Sequence, residues 1–161
     1  MESDKIRLRR YEDDLYVSGT GAIVMGIWAV TKTIMELFFV YTDIFKYDNA
    51  DPSVTTAEYI ISYILLGLIL VLILWFHYYA GINAVRAAKG RKYKKGYFAM
   101  TVFLLVMTIL SLASYADDGD SNSDTTAASF LVDLTTIYIF VMIIISSVRI
   151  RKLKSTQQVR E

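Results

Sequence analysis

Residues 59–85 carry no charged side chain, and the centre of that run, 64–76, is almost entirely Leu, Ile and Val. A helix crosses about 30 Å of hydrocarbon with roughly 20 residues of this kind. A helix at the surface of a soluble protein keeps a polar face, and this one has none to offer. Two further runs resemble it: 97–116 is uncharged, and 125–148 holds one charge, Asp133. A fourth, 15–42, is long and apolar but contains Lys32 and Glu36. No run alternates with period two, and each is too long for a barrel strand of about 10 residues. The one proline, Pro52, falls between runs, where a helix breaker belongs.

Composition agrees. Hydrophobic residues make up 55% of the 161 positions, against about 45–50% in ordinary soluble domains. The chain has no cysteine, which removes disulfides, thiol chemistry, cysteine-held zinc and palmitoyl anchors. The first run does not read as a signal peptide. It exceeds an apolar core of about 7–15 residues, follows a largely polar stretch and shows no small-residue cleavage site. The expectation is an all-α integral membrane protein with four transmembrane helices, over approximately 17–41, 59–85, 97–116 and 126–148. Short connections favour an up-down-up-down antiparallel bundle in one domain.

Charge gives the orientation. The segment 86–96 holds Arg86, Lys89, Arg91, Lys92, Lys94 and Lys95 and no acid. The stretch 117–125 holds Asp117, Asp118, Asp120 and Asp124 and no base, and 42–58 is also acidic, with Lys46 alone against it. All of the 17 Lys and Arg residues except Lys46 and Lys32 fall in loop 86–96 or in the two tails. Lys and Arg near helix ends stay in the cytoplasm. Both termini are therefore expected inside, with acidic loops outside, in the cell membrane. Tyr11, Tyr16, Tyr41, Tyr59, Tyr97 and Tyr115 stand near the helix ends, as interfacial aromatics do.

In lipid, small residues mark where helices touch. Stripes at three-to-four spacing run through Gly19, Ala22, Gly26, Ala29, Thr33 and Glu36; through Tyr63, Gly67, Leu70, Leu74, His77, Gly81 and Ala84; through Thr101, Leu104, Thr108, Ser111 and Tyr115; and through Thr126, Ser129, Asp133, Thr136, Phe140, Ile143 and Ser147. Counting about 1.5 Å per residue from the helix ends puts Lys32, Asp133, Tyr63 and Ser111 in one layer, about 8–9 Å below the outer edge of the hydrocarbon. Glu36, one turn above Lys32 on the same face, sits higher. One cation thus meets two carboxylates. Either Lys32 and Asp133 form an ion pair that locks the first helix to the fourth, or the surplus negative charge admits a proton or a cation. Lys32 or Glu36 facing a neighbouring subunit is a further possibility. His77, the only histidine, reads as a polar interface residue or a proton relay, and alone it makes no His-based metal site.

The loops say less. Asp118, Asp120, Asn122 and Asp124 space oxygens like the start of a calcium loop. Ser123 stands where that loop needs glycine and Ser129 where it needs glutamate, so an acidic turn is expected and no metal site. Loop 86–96 interleaves bases with aromatics. It sets topology and offers contact to anionic lipid head groups or to a protein partner; nothing but charge points to nucleic acid. The first residues place Ile6, Leu8, Tyr11 and Leu15 among Arg7, Arg9 and Arg10, a pattern that suits a short amphipathic helix on the inner surface, although Glu12, Asp13 and Asp14 oppose it.

The sequence contains no HExxH, no phosphate-binding glycine loop and no G-x-S-x-G elbow, and no serine or threonine has a histidine nearby in the outer half. No loop is long enough for a separate folded domain. The expected function is therefore non-catalytic, without cofactor: a membrane scaffold, or an accessory or oligomeric subunit, partnered by the bilayer and by another membrane protein or a second copy. The alternative is a small transporter or channel for a proton, cation or charged solute, built on Lys32, Glu36 and Asp133.

Overall fold

The computed structural model describes residues 2–40, 56–114 and 123–160; the acidic stretches 42–55 and 115–122, with the calcium-like spacing, lie outside them. The described residues form four helices: α1 (Glu2–Val40), α2 (Thr56–Ala88), α3 (Tyr97–Ser114) and α4 (Ser123–Arg160). There is no strand among the described residues. Three helices are long and apolar enough to cross a membrane, within Asp4–Met35, Ile60–Ala88 and Ser129–Thr156. The apolar stretch of α3, Tyr97–Ala113, is shorter. The 18 residues of α3 rise about 27 Å, just under the hydrocarbon thickness; the uncharged sequence runs on to Ala116.

The helices form a ring in which α1 packs on α2 and α4, and α3 packs on α4 and α2. The α1–α2 contact depends on missing side chains. A Cβ on Gly81 would stand 2.5 Å from the Gly19 carbonyl oxygen and 2.6 Å from Ile23 Cγ1, and one on Gly26 would collide with His77 Cβ. Numbers rise along α1 as they fall along α2. With Ala22, Ala80 and Ala84 wholly buried beside them, these glycines bring the two backbones together, the main source of helix association where lipid removes the hydrophobic drive.

The buried core comprises Leu15, Ala22, Ala80, Ala84, Ala87, Ala88, Tyr97, Leu104, Phe140, Ile143 and Ile150. All lie toward one end of the ring. Loop 89–96 and the outer turns of α1 and α4 meet at that end: Lys154 bonds Glu12 at 3.0 Å, Lys89 sits 4.6 Å over the Tyr16 ring, and Arg151 lies 5.4 Å over the Phe98 ring. We term it the basic end. At the other end Ile60, Ile61, Ile64, Leu65 and Leu68 of α2 are exposed, and Gly67 has nothing near it. Among the described residues the ring is thus tight at the basic end and open at the other.

Two helices run further than the apolar spans require. The segment before residue 17 is continuous with α1, and α4 continues past residue 148 to Arg160. Leu8 and Tyr11 pack against the core and Leu15 is buried within it, whereas Ile6 is 66% exposed. The apolar face expected to lie on a membrane surface is instead mostly covered by protein, because α4 extends alongside it with Ile150 buried and Lys154 paired to Glu12. Glu12, which opposes an anionic surface, has this ion pair as its local role.

Candidate functional site

Lys32 and Asp133 are 101 positions apart in sequence, and their side chains meet: Nζ donates to Oδ2 at 2.9 Å. The two side chains are 14% and 13% exposed. The bond joins α1 to α4 at the level where the ring begins to open. Burying either ion alone costs several kcal/mol, roughly, and the partner's charge offsets this only when the geometry is close; a 2.9 Å contact meets that condition.

The pair stands on the wall of a half-open cavity of about 410 Å³ lined by all four helices. Ser111 lines it from α3, whereas Tyr63, placed in the same layer by its depth in the sequence, is 48% exposed on α2 and is not part of the lining. The Glu36 side chain lies outside the described residues. The rest of the wall is largely apolar, with Trp28 from α1, Phe76 from α2 and Phe103 and Met107 from α3.

His77 belongs to this cavity as well. Its Nδ1 lies 2.8 Å from the Ile73 carbonyl oxygen. A carbonyl only accepts, so Nδ1 carries a proton, and in the neutral ring Nε2 keeps a lone pair. The ring is 5.7 Å from that of Phe140. Depth counting sets His77 toward the inner end, apart from the charged layer. In the fold, Gly26 lets α2 come so close that His77 floors the space of which Lys32, about 9 Å along α1, forms a side. A signal for this wall existed: Trp28 and Lys32 are four apart on one face of α1, as are Leu104 and Thr108 on α3.

At the basic end, Arg86, Lys89, Arg91, Lys92, Lys94 and Lys95 are all exposed. Their loop is tied down. α2 stops on Gly90, whose φ of 64° suits a residue without Cβ. Gly90 N–H reaches the Ala87 carbonyl at 3.2 Å and Arg91 N–H the Arg86 carbonyl at 2.9 Å, the paired bonds that close a helix C-terminus. Buried Asn83 accepts the Lys94 N–H at 3.0 Å and donates to the Tyr79 carbonyl at 2.8 Å. Ser147 spends its proton on the Ile143 carbonyl at 2.6 Å, so Tyr97 donates to Ser147 Oγ at 2.8 Å and pins the start of α3 to α4.

Among the described residues no group of three or more His, Cys, Asp or Glu side chains stands together as a metal site. No family model, curated protein or solved structure matches this chain. Its chemistry is read from these side chains alone.

Proposed function

We propose that this chain is a small, non-catalytic integral membrane protein: a four-span, up-down-up-down antiparallel bundle with both termini in the cytoplasm of the cell membrane. It acts as a scaffold or as an accessory or oligomeric subunit, and Lys32–Asp133 is the lock that holds α1 to α4. The observation that carries this is the 2.9 Å ion pair between helices so distant in sequence. The bases at one end of the ring support the orientation, because Lys and Arg resist translocation. They also support contact with anionic head groups, each adding about 1 kcal/mol beside such a surface. The partner is a second membrane protein or another copy of this chain.

The test is a cycle of apolar replacements. Lys32→Met and Asp133→Leu each leave one buried charge unmatched and cost about 3–5 kcal/mol. The double variant removes both charges and returns close to the parent stability. Folded yield and detergent unfolding midpoint read the result. Single variants as stable as the parent would show that the pair locks nothing.

A second reading, transport of a proton, cation or charged solute, is favoured by one specific observation: the cavity reaches Asp133. Asp133→Asn in proteoliposomes tests it. Loss of a proton or cation flux present in the parent protein supports transport, and no flux in either protein removes it.

A further inference from the structure

We propose that the cavity between the four helices is a binding site for a neutral amphiphile with an apolar body and a hydroxyl or N–H group. This deepens the membrane-bundle reading and rests on the helices spanning the bilayer, though not on the ion pair acting as a lock.

The size fits first. At about 410 Å³ the cavity falls within the roughly 300–1,000 Å³ of small-molecule sites, which are mostly apolar with a few placed polar groups. Trp28, Phe76 and Phe103 supply aromatic surface for such a body.

The hydrogen-bonding inventory decides the polar group. Thr33, Thr108 and Thr136 line the cavity, and each hydroxyl already donates to its own helix, to the carbonyls of Ala29, Leu104 and Val132. With the proton so engaged, each oxygen has only lone pairs to offer a ligand. His77 has its proton on Nδ1 at the Ile73 carbonyl, so Nε2 is an acceptor too. Donors are fewer: the Lys32 ammonium, which already gives one proton to Asp133, the Ser111 hydroxyl and the Trp28 indole. A wall rich in acceptors favours an occupant that brings a donor.

Charge decides the rest. Lys32 and Asp133 pair within the wall. An ionic ligand would have to compete with that pair and give up its hydration in a largely apolar space. A neutral molecule avoids that cost. Phenols and fatty or aromatic alcohols meet all three conditions.

The two tryptophans make the test internal. Trp28 lines the cavity, while Trp75 is exposed on α2 and is no part of its lining. Trp75→Phe leaves Trp28 as the sole emitter; Trp28→Phe leaves Trp75. Each protein is placed in lipid nanodiscs and titrated with 4-bromophenol, a neutral heavy-atom quencher at pH 7, and with 4-bromoanisole, its donorless methyl ether. Both are corrected for partition into empty discs.

Quenching of Trp28 should saturate with the phenol, with half-saturation about tenfold lower than for the anisole, the worth of one net hydrogen bond. Quenching of Trp75 should rise linearly with both. Thr108→Val with Thr136→Val, which keeps shape and removes two acceptors, should reduce the phenol preference at least threefold. Linear quenching of Trp28, or equal half-saturation for the two probes, overturns the proposal. Should the valine variant fail to fold, the phenol–anisole comparison on Trp75→Phe still decides. Flotation of the same protein with liposomes checks insertion separately, so failure of the bilayer reading and failure of the site are distinguishable.

Discussion

Replacing Gly81 by Ala should destabilise the bundle, and the same replacement at Gly67, fourteen positions earlier on the same helix, should not. The Cβ at position 81 would stand 2.5 Å from the Gly19 oxygen, 2.6 Å from Ile23 Cγ1 and 3.2 Å from Ile23 N, while at 67 nothing among the described residues lies within 4 Å. Carbon contacts are comfortable at about 3.5–4.0 Å, so α1 must retreat by roughly 1 Å to admit the methyl group. Two of the obstructing atoms are backbone and cannot rotate away. Overpacking of this kind costs about 1–3 kcal/mol. Ala also gains up to about 1 kcal/mol in helix propensity over Gly, at either site. The net expectation is a loss of about 1–2 kcal/mol for Gly81→Ala and a change between zero and a gain of about 1 kcal/mol for Gly67→Ala. The difference between them amounts to a factor of roughly 5–150 in the unfolding equilibrium. Sodium dodecyl sulfate titration in mixed micelles, followed by far-ultraviolet circular dichroism, reads both midpoints. Equal midpoints, or greater damage at 67, would refute the close α1–α2 contact.

Asn83→Leu should free the Lys94 N–H, which Asn83 now accepts at 3.0 Å, and speed amide exchange across 91–96 at least tenfold by mass spectrometry while α2 stays protected. Gly90→Ala should cost about 1–2 kcal/mol through its left-handed backbone, read as a lower unfolding midpoint. Ser146 is wholly buried and its Oγ has no hydrogen-bond partner among the described residues. Ser146→Ala should therefore leave stability unchanged or raise it by up to about 1 kcal/mol; a loss above 1 kcal/mol would mean the hydroxyl is satisfied.

The helices were legible in the sequence as long apolar runs with almost no charge, such as 59–85 and 126–148. Small-residue spacing picked out faces that pack: Ala22, Ala84, Thr101, Phe140, Ile143 and Ser147 are all buried. It also picked out Leu74, which is exposed, and Gly67, which touches nothing. A repeat gives a face but not how far along the helix a neighbour follows it. Counting depth from two helix ends brings Lys32 level with Asp133, and the side chains meet at 2.9 Å. Counting also sets His77 below the charged layer, and the close approach at Gly26 brings it into the same cavity. The extensions of α1 and α4 were hidden for another reason. Hydropathy stops where the charges begin, whereas the helices continue through side-by-side packing of Leu8, Tyr11 and Ile150, a contact no single run can announce.

The most direct measurement uses the natural absence of cysteine. Ser53→Cys, Lys92→Cys, Ser121→Cys and Ser155→Cys are made singly, and intact cells are exposed to a membrane-impermeant maleimide. If the chain crosses the bilayer four times with its basic end inside, positions 53 and 121 react from outside, and positions 92 and 155 react only after permeabilisation. Labelling of 92 or 155 on sealed cells, or protection of 53 or 121, would contradict it.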